Sequence, residues 1–200
     1  MISPRSARVC TPLLLAPATA LAHSPIRDIG SFYGGLLHPV LVPAQLLLLL
    51  ALGLLLGQQA PAENKVPLLA FLTCTVAGLV YAGLASGSEL ATAQLLGTTV
   101  FGLLVALHPK IPVTVRTVFS AFAALTVGAD SGQAELTGAA LFAALAGTGI
   151  GMTILLLCTM GMADYLQEKP WQKIGVRILG SWITTSALLV LSLSLRTAPA

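Results

Sequence analysis

Long apolar stretches follow one another along this chain, with only short turns between them. About 20 apolar residues are what a helix needs to cross the hydrocarbon core of a bilayer. Charged residues make up 8% of the 200, against roughly 25% in an ordinary soluble domain. A chain of this length cannot build a core large enough to hide so much apolar surface from water. Leucine and alanine dominate, and apolar and polar residues do not alternate as they do in a transmembrane barrel. The expected fold is an all-α polytopic membrane protein, a bundle of about six transmembrane helices.

The spans are placed at 36–57, 66–86, 90–107, 113–127, 136–160 and 174–195. The third and fourth are short, and are expected to extend into their turns or to sit where the bilayer is thinner. Residues 1–22 read as a cleaved signal peptide. Arg5 and Arg8 form its basic start, a short apolar run follows, and Ala20-Leu21-Ala22 is a small-x-small cleavage site. An uncleaved anchor is the alternative, although Pro12 and Pro17 would interrupt a membrane helix. Cleavage leaves His23 at the new N-terminus, an outer segment at 23–35 and a membrane domain at 36–200. With that N-terminus outside, Lys65, Lys110, Arg116, Lys169, Lys173 and Arg177 fall inside, and only Arg27 and Arg196 of the mature chain fall outside. This obeys the positive-inside rule and fits a bacterial inner (cytoplasmic) membrane.

Several function classes drop out. There is no Walker loop, dinucleotide fingerprint or HExxH motif, and no room for a soluble catalytic domain. The basic residues stand singly in short loops, so the net charge of +3 does not point to nucleic acid. Cys74 and Cys158 lie in apolar helices and Cys10 in the leader, which suits small buried hydrophobes rather than a disulfide framework. Gly147, Gly149 and Gly151 lie within an apolar helix, where close packing is expected rather than phosphate binding. An intramembrane enzyme would need a nucleophile and a base, or several ligands, at one depth, and His38 has no deep acidic partner. Neither an enzyme nor a permanently bound cofactor is expected.

Acids and imidazoles collect on the outer face, while Asp164 and Glu168, four residues apart on the inner side near Lys169 and Lys173, suit a solvated amphipathic turn. His23 and Asp28 precede the first span, and His38 stands at its start in GGLLHPVLVPAQ. Glu89 marks the second turn, and Asp130 and Glu135 lie in GADSGQAEL. Such a mouth attracts cations, and imidazole nitrogen together with carboxylate oxygen suits divalent nickel and related ions. Pro39 suits a first helical turn, and Pro43 cannot donate to the carbonyl of Pro39. On an unbroken helix His38 and Gln45 would be separated by about 10 Å of rise, too far to ligate one ion together.

These features together resemble the HupE/UreJ family of small membrane proteins, which is associated with hydrogenase and urease gene sets. The resemblance rests on the leader ending Ala22-His23, the GGLLHP start of the first span and the apolar helices that follow. It implies transport of nickel or cobalt. Of the family motif HPxxGxDH, His38 and Pro39 match the opening, while Val42, Ala44 and Gln45 occupy the glycine, aspartate and final histidine positions. Of the later HGxxHGxE segment the carboxylates Asp130 and Glu135 remain, without the histidines. The donor set shifts from imidazole toward oxygen, which lowers selectivity for nickel over harder ions.

The expected function is a permease for a divalent metal of the nickel or cobalt class, with His23, His38, Asp130 and Glu135 as metal-directed residues. The ion is substrate. No ATPase signature is present, so transport would draw on a gradient or an energy-coupling protein. Membrane lipid is the certain partner, and a metal-handling protein is a further one. The rival expectation is a non-transporting accessory or scaffold protein for metalloenzyme assembly.

Overall fold

The structure, a computed structural model, describes residues 30–85, 90–133 and 135–197, with side chains through 194. The expected signal peptide at 1–22 lies outside the described residues, as do His23, Arg27, Asp28 and Glu89. The described residues form seven α-helices: α1 (Gly30–Leu41), α2 (Pro43–Gly57), α3 (Lys65–Leu84), α4 (Ala91–Leu107), α5 (Val113–Ala129), α6 (Gly138–Tyr165) and α7 (Pro170–Thr197). A 3-10 turn at Pro61–Asn64 leads into α3.

The stretch expected as one span at 36–57 is two helices, and prolines are the cause. Val42 leaves helical geometry (φ −95°, ψ 107°) and α1 and α2 meet at a bend of 71°. Pro43 takes the first turn of α2, where a missing N–H costs nothing. That place was expected for Pro39, but α1 already begins at Gly30 and Pro39 lies inside it. A proline there cannot donate to the carbonyl four residues back, that of Gly35. Thr148 of α6 makes up the loss, its Oγ1 donating to the Gly35 carbonyl at 3.1 Å.

Among the described residues three helical segments are long and apolar enough to cross a membrane: Pro61–Leu84, Gly138–Tyr165 and Pro170–Ser194. The bent pair α1–α2 makes a fourth if counted as one broken span. The helices α4 and α5 have 17 residues each, about 25 Å of helix against a hydrocarbon core of about 30 Å.

Lipid tails are as apolar as leucine, so the helices are held together by close packing and hydrogen bonds rather than by escape from water. Glycines provide the close approaches. A Cβ on Gly147 would collide with the Phe32 carbonyl, and one on Gly151 with the Leu36 carbonyl, which seats α1 on α6. Gly78 meets Gly128 where α3 crosses α5, and Gly102 meets Gly180 where α4 crosses α7. Gly53 and Gly57 bring α2 against α6 at Thr159, Met160 and Ala163.

These pairs enclose α2. Its Leu48, Leu49, Leu52 and Leu56 are fully buried among Phe71, Phe101, Ala123, Met152 and Leu156. Around this apolar middle the molecule has two unlike ends. The turns after α2, α4 and α6, with the starts of the helices that follow them, gather Lys65, Lys110, Arg116, Lys169, Lys173 and Arg177 at one end, against the acids Glu63, Asp164 and Glu168, and there Arg177 Nε donates to the Ala106 carbonyl at 2.7 Å. The opposite end carries Asp130 and Glu135.

The α1–α6 crossing gives a direct test. Gly147→Val or Gly151→Val should lower the thermal midpoint of the detergent-purified protein by about 5–10 °C. Gly161→Ala, where a Cβ meets open space, should leave it unchanged.

Candidate cation site

Asp130 caps the C-terminus of α5, the end of a helix where a negative charge is least welcome. Three donors from other elements hold it there. Gln45 Nε2, in the first turn of α2, and Gln94 Nε2, in the first turn of α4, each lie 3.1 Å from Oδ2. The Leu90 N–H, at the start of α4, points to Oδ1 at 3.4 Å. The carboxylate thus leaves the negative end of its own helix for the positive end of another. Gln94 Nε2 also donates to the Thr126 carbonyl at 3.1 Å.

Both glutamines are fully buried. Among the described residues, neither Gln45 Oε1 nor Gln94 Oε1 has a hydrogen-bond partner. Asp130 is therefore held by neutral donors that leave its charge in place, with two unspent amide oxygens beside it. Charge plus oxygen donors is the chemistry that takes a metal ion.

The other end of α2 is polar as well. Gln58 Nε2 donates to the Val105 carbonyl (3.0 Å) and Gln59 Nε2 to the Pro109 carbonyl (3.1 Å). Asn64 Nδ2 donates to the Leu56 carbonyl at 2.8 Å. Arg116, fully buried in the first turn of α5, donates from Nη1 to Asn64 Oδ1 at 2.7 Å and pairs through Nη2 with Glu63. A cation at a helix N-terminus is unfavourable, and Glu63 offsets it. From Gln45 to Gln58 the rise along α2 is about 20 Å.

Of the residues singled out in the sequence, Asp130 lies at the centre of this cluster. Glu135 is exposed in the turn before α6. His38 is half-buried on α1, and its carbonyl accepts the Val42 N–H at 3.1 Å. His23 lies outside the described residues. Among the described residues no group of three or more His, Cys, Asp or Glu is placed to hold a metal. The segments 38–45 and 130–135 do meet, through the Gln45–Asp130 bond. The sequence points to Gln45 through its spacing from His38 and its place at the final histidine position of the motif, and it does not single out Gln94. The available signal was physical: an amide inside an apolar helix must find a partner.

Described residues whose secondary structure is helical throughout, with apolar helices of membrane length and a carboxylate held by buried amides, define a helical membrane protein. The HupE / UreJ protein family model matches residues 11–190, and the chain belongs to that family. The family is associated with nickel or cobalt transport and with urease or hydrogenase maturation. No curated protein and no solved structure matches the chain.

Gln94→Leu removes donors from both Asp130 and the Thr126 carbonyl, and should cost about 1–3 kcal/mol in chemical denaturation. Gln45→Leu, which leaves Gln94 on Asp130, should cost less. Equal losses would mean that the two amides do not share the carboxylate as described.

Proposed function

We propose that the chain is a permease for a divalent metal ion of the nickel or cobalt class, captured at the Asp130 end of the bundle. The observation that carries this is the Asp130 carboxylate, held by two buried amides at one end of the enclosed helix α2. Family membership supports it. So does the second polar end, separated from the first by the apolar layer around Leu48, Leu49 and Leu52. That layer closes the path in this conformation, as alternating access requires.

In this proposal the chain crosses the membrane six times, with α1 and α2 together as the first, broken crossing. The basic end faces the cytoplasm and Asp130 and Glu135 face outward, as the positive-inside rule directs. His38, one turn before the break, and His23, at the mature N-terminus, add imidazole to the outer mouth. Energy comes from a gradient or from a coupling protein.

One observation favours a second reading, a non-transporting accessory or scaffold protein for metalloenzyme assembly. Ala44 and Gln45 stand where the family motif has aspartate and histidine, which leaves the first helix pair poorer in metal ligands.

Uptake into sealed proteoliposomes separates the two. Nickel, cobalt, zinc, manganese and magnesium would be compared with Asp130→Asn and His38→Ala as paired variants. Uptake above empty liposomes is expected, reduced about tenfold or more in Asp130→Asn. If correctly inserted wild-type protein moves none of these ions under imposed proton and voltage gradients, the accessory reading replaces the permease.

A further inference from the structure

At the basic end, the turn after α2 and the turn after α4 clasp one another around a cavity of about 630 Å³. Gln58, Gln59, Glu63, His108 and Lys110 line it. The clasp is made of amides: Gln59 donates to the Pro109 carbonyl and its Oε1 accepts the Ile111 N–H at 3.4 Å. We propose that this cavity is a second divalent-cation station, with the Glu63 carboxylate, the His108 imidazole and the Gln58 amide oxygen as donors and Arg116 holding the carboxylate when no ion is there.

Three observations carry this. Gln58 is 8% exposed, and among the described residues its Oε1 has no hydrogen-bond partner, while its Nε2 is spent on Val105. A buried amide oxygen without a partner, on a residue that lines the cavity, is an acceptor that a hydrogen-bond donor or a cation would satisfy. Second, the same wall brings together one carboxylate and one imidazole, a mixed oxygen and nitrogen set suited to borderline divalent ions. Third, Glu63 already holds a cation. Its partner is the guanidinium of Arg116, buried on α5, whereas the Glu63 side chain is 56% exposed and can turn toward the cavity.

The charges decide the strength of binding. An arriving divalent ion competes with Arg116 for a single carboxylate, and Lys110 on the same wall repels it. Asp130, by contrast, is held by neutral groups among the described residues. The station at the basic end is therefore the weaker of the two, as a release point must be. Its role in release rests on the permease reading. Its existence as a binding site does not.

Cobalt(II) reports its own ligands through its visible absorption. Full-length protein in lipid nanodiscs would be titrated with cobalt(II) in an Asp130→Asn background, which disables the cluster at the other end. A residual cobalt band is expected. Glu63→Gln, which keeps an oxygen acceptor for Arg116, should weaken binding about tenfold or more. His108→Gln should change the band itself, because a nitrogen ligand is lost. Lys110→Gln, at an exposed position, should tighten binding about two- to fivefold by removing a repelling charge.

The proposal is overturned if Asp130→Asn protein shows no cobalt band. It is also overturned if Glu63→Gln and His108→Gln, each eluting as folded protein, leave affinity and band unchanged. A cobalt band that responds as described, in a protein that moves no ion into proteoliposomes, keeps the station and removes the permease.

Discussion

The structure depends on how the two ends of α2 are tied. A helix of leucine and alanine has no reason to leave lipid for protein, since both surroundings are equally apolar. What lipid cannot offer is hydrogen-bond partners. Gln45 finds Asp130 at one end, while Gln58 and Gln59 find the Val105 and Pro109 carbonyls at the other. Gly53 and Gly57 then let the same helix come close to α6. Amides at the ends and glycines on one face, more than the leucines between them, explain why this segment is enclosed by its neighbours. Enclosure also frees it from matching the bilayer: at 15 residues, about 22 Å of rise, α2 is too short to span alone, and α1 supplies the rest at an angle.

The two ends of α2 handle charge in opposite ways. Asp130 sits at the unfavourable end of its own helix and is held by neutral donors, so its charge remains available. Glu63 meets a buried arginine that sits at the unfavourable end of α5, and the two charges cancel. Each helix end creates an electrostatic problem, and a neighbouring element answers it. One answer leaves an attractive site for a cation. The other places a built-in cation on the carboxylate, so that an ion there would have to compete.

Much of this fold was legible in the sequence. The apolar runs mark out α3 to α7 to within a turn or so but merge α1 with α2, and Gly147 and Gly151, expected to serve close packing, meet the backbone of α1. One feature was displaced. Pro39 was expected in a first helical turn, a place that Pro43 takes, because α1 extends back to Gly30 through residues whose helical character is weak in isolation. A proline inside α1 was harder to foresee, because Thr148, more than a hundred residues away, satisfies the Gly35 carbonyl that Pro39 strands. The site was legible only in part. Asp130 stood out because carboxylates are rare in such chains, whereas Gln45 and Gln94 acquire their roles from partners on other helices. Arg116 looked like a topology marker, because its burial depends on Glu63 and Asn64 folding back from the turn before α3.

In the proposed arrangement two polar ends on opposite sides of a membrane are separated by a sealed apolar layer around α2. Thiol accessibility tests it most directly. Single variants Glu135→Cys, Leu52→Cys and Lys110→Cys would be made in a chain with Cys10, Cys74 and Cys158 replaced by serine, and treated in spheroplasts with a membrane-impermeant maleimide. Labelling of the thiol at 135 in intact spheroplasts is expected, with labelling at 110 only after the membrane is opened and none at 52 in either case. Labelling at both 135 and 110 from the same side, or ready labelling at 52, would contradict this arrangement.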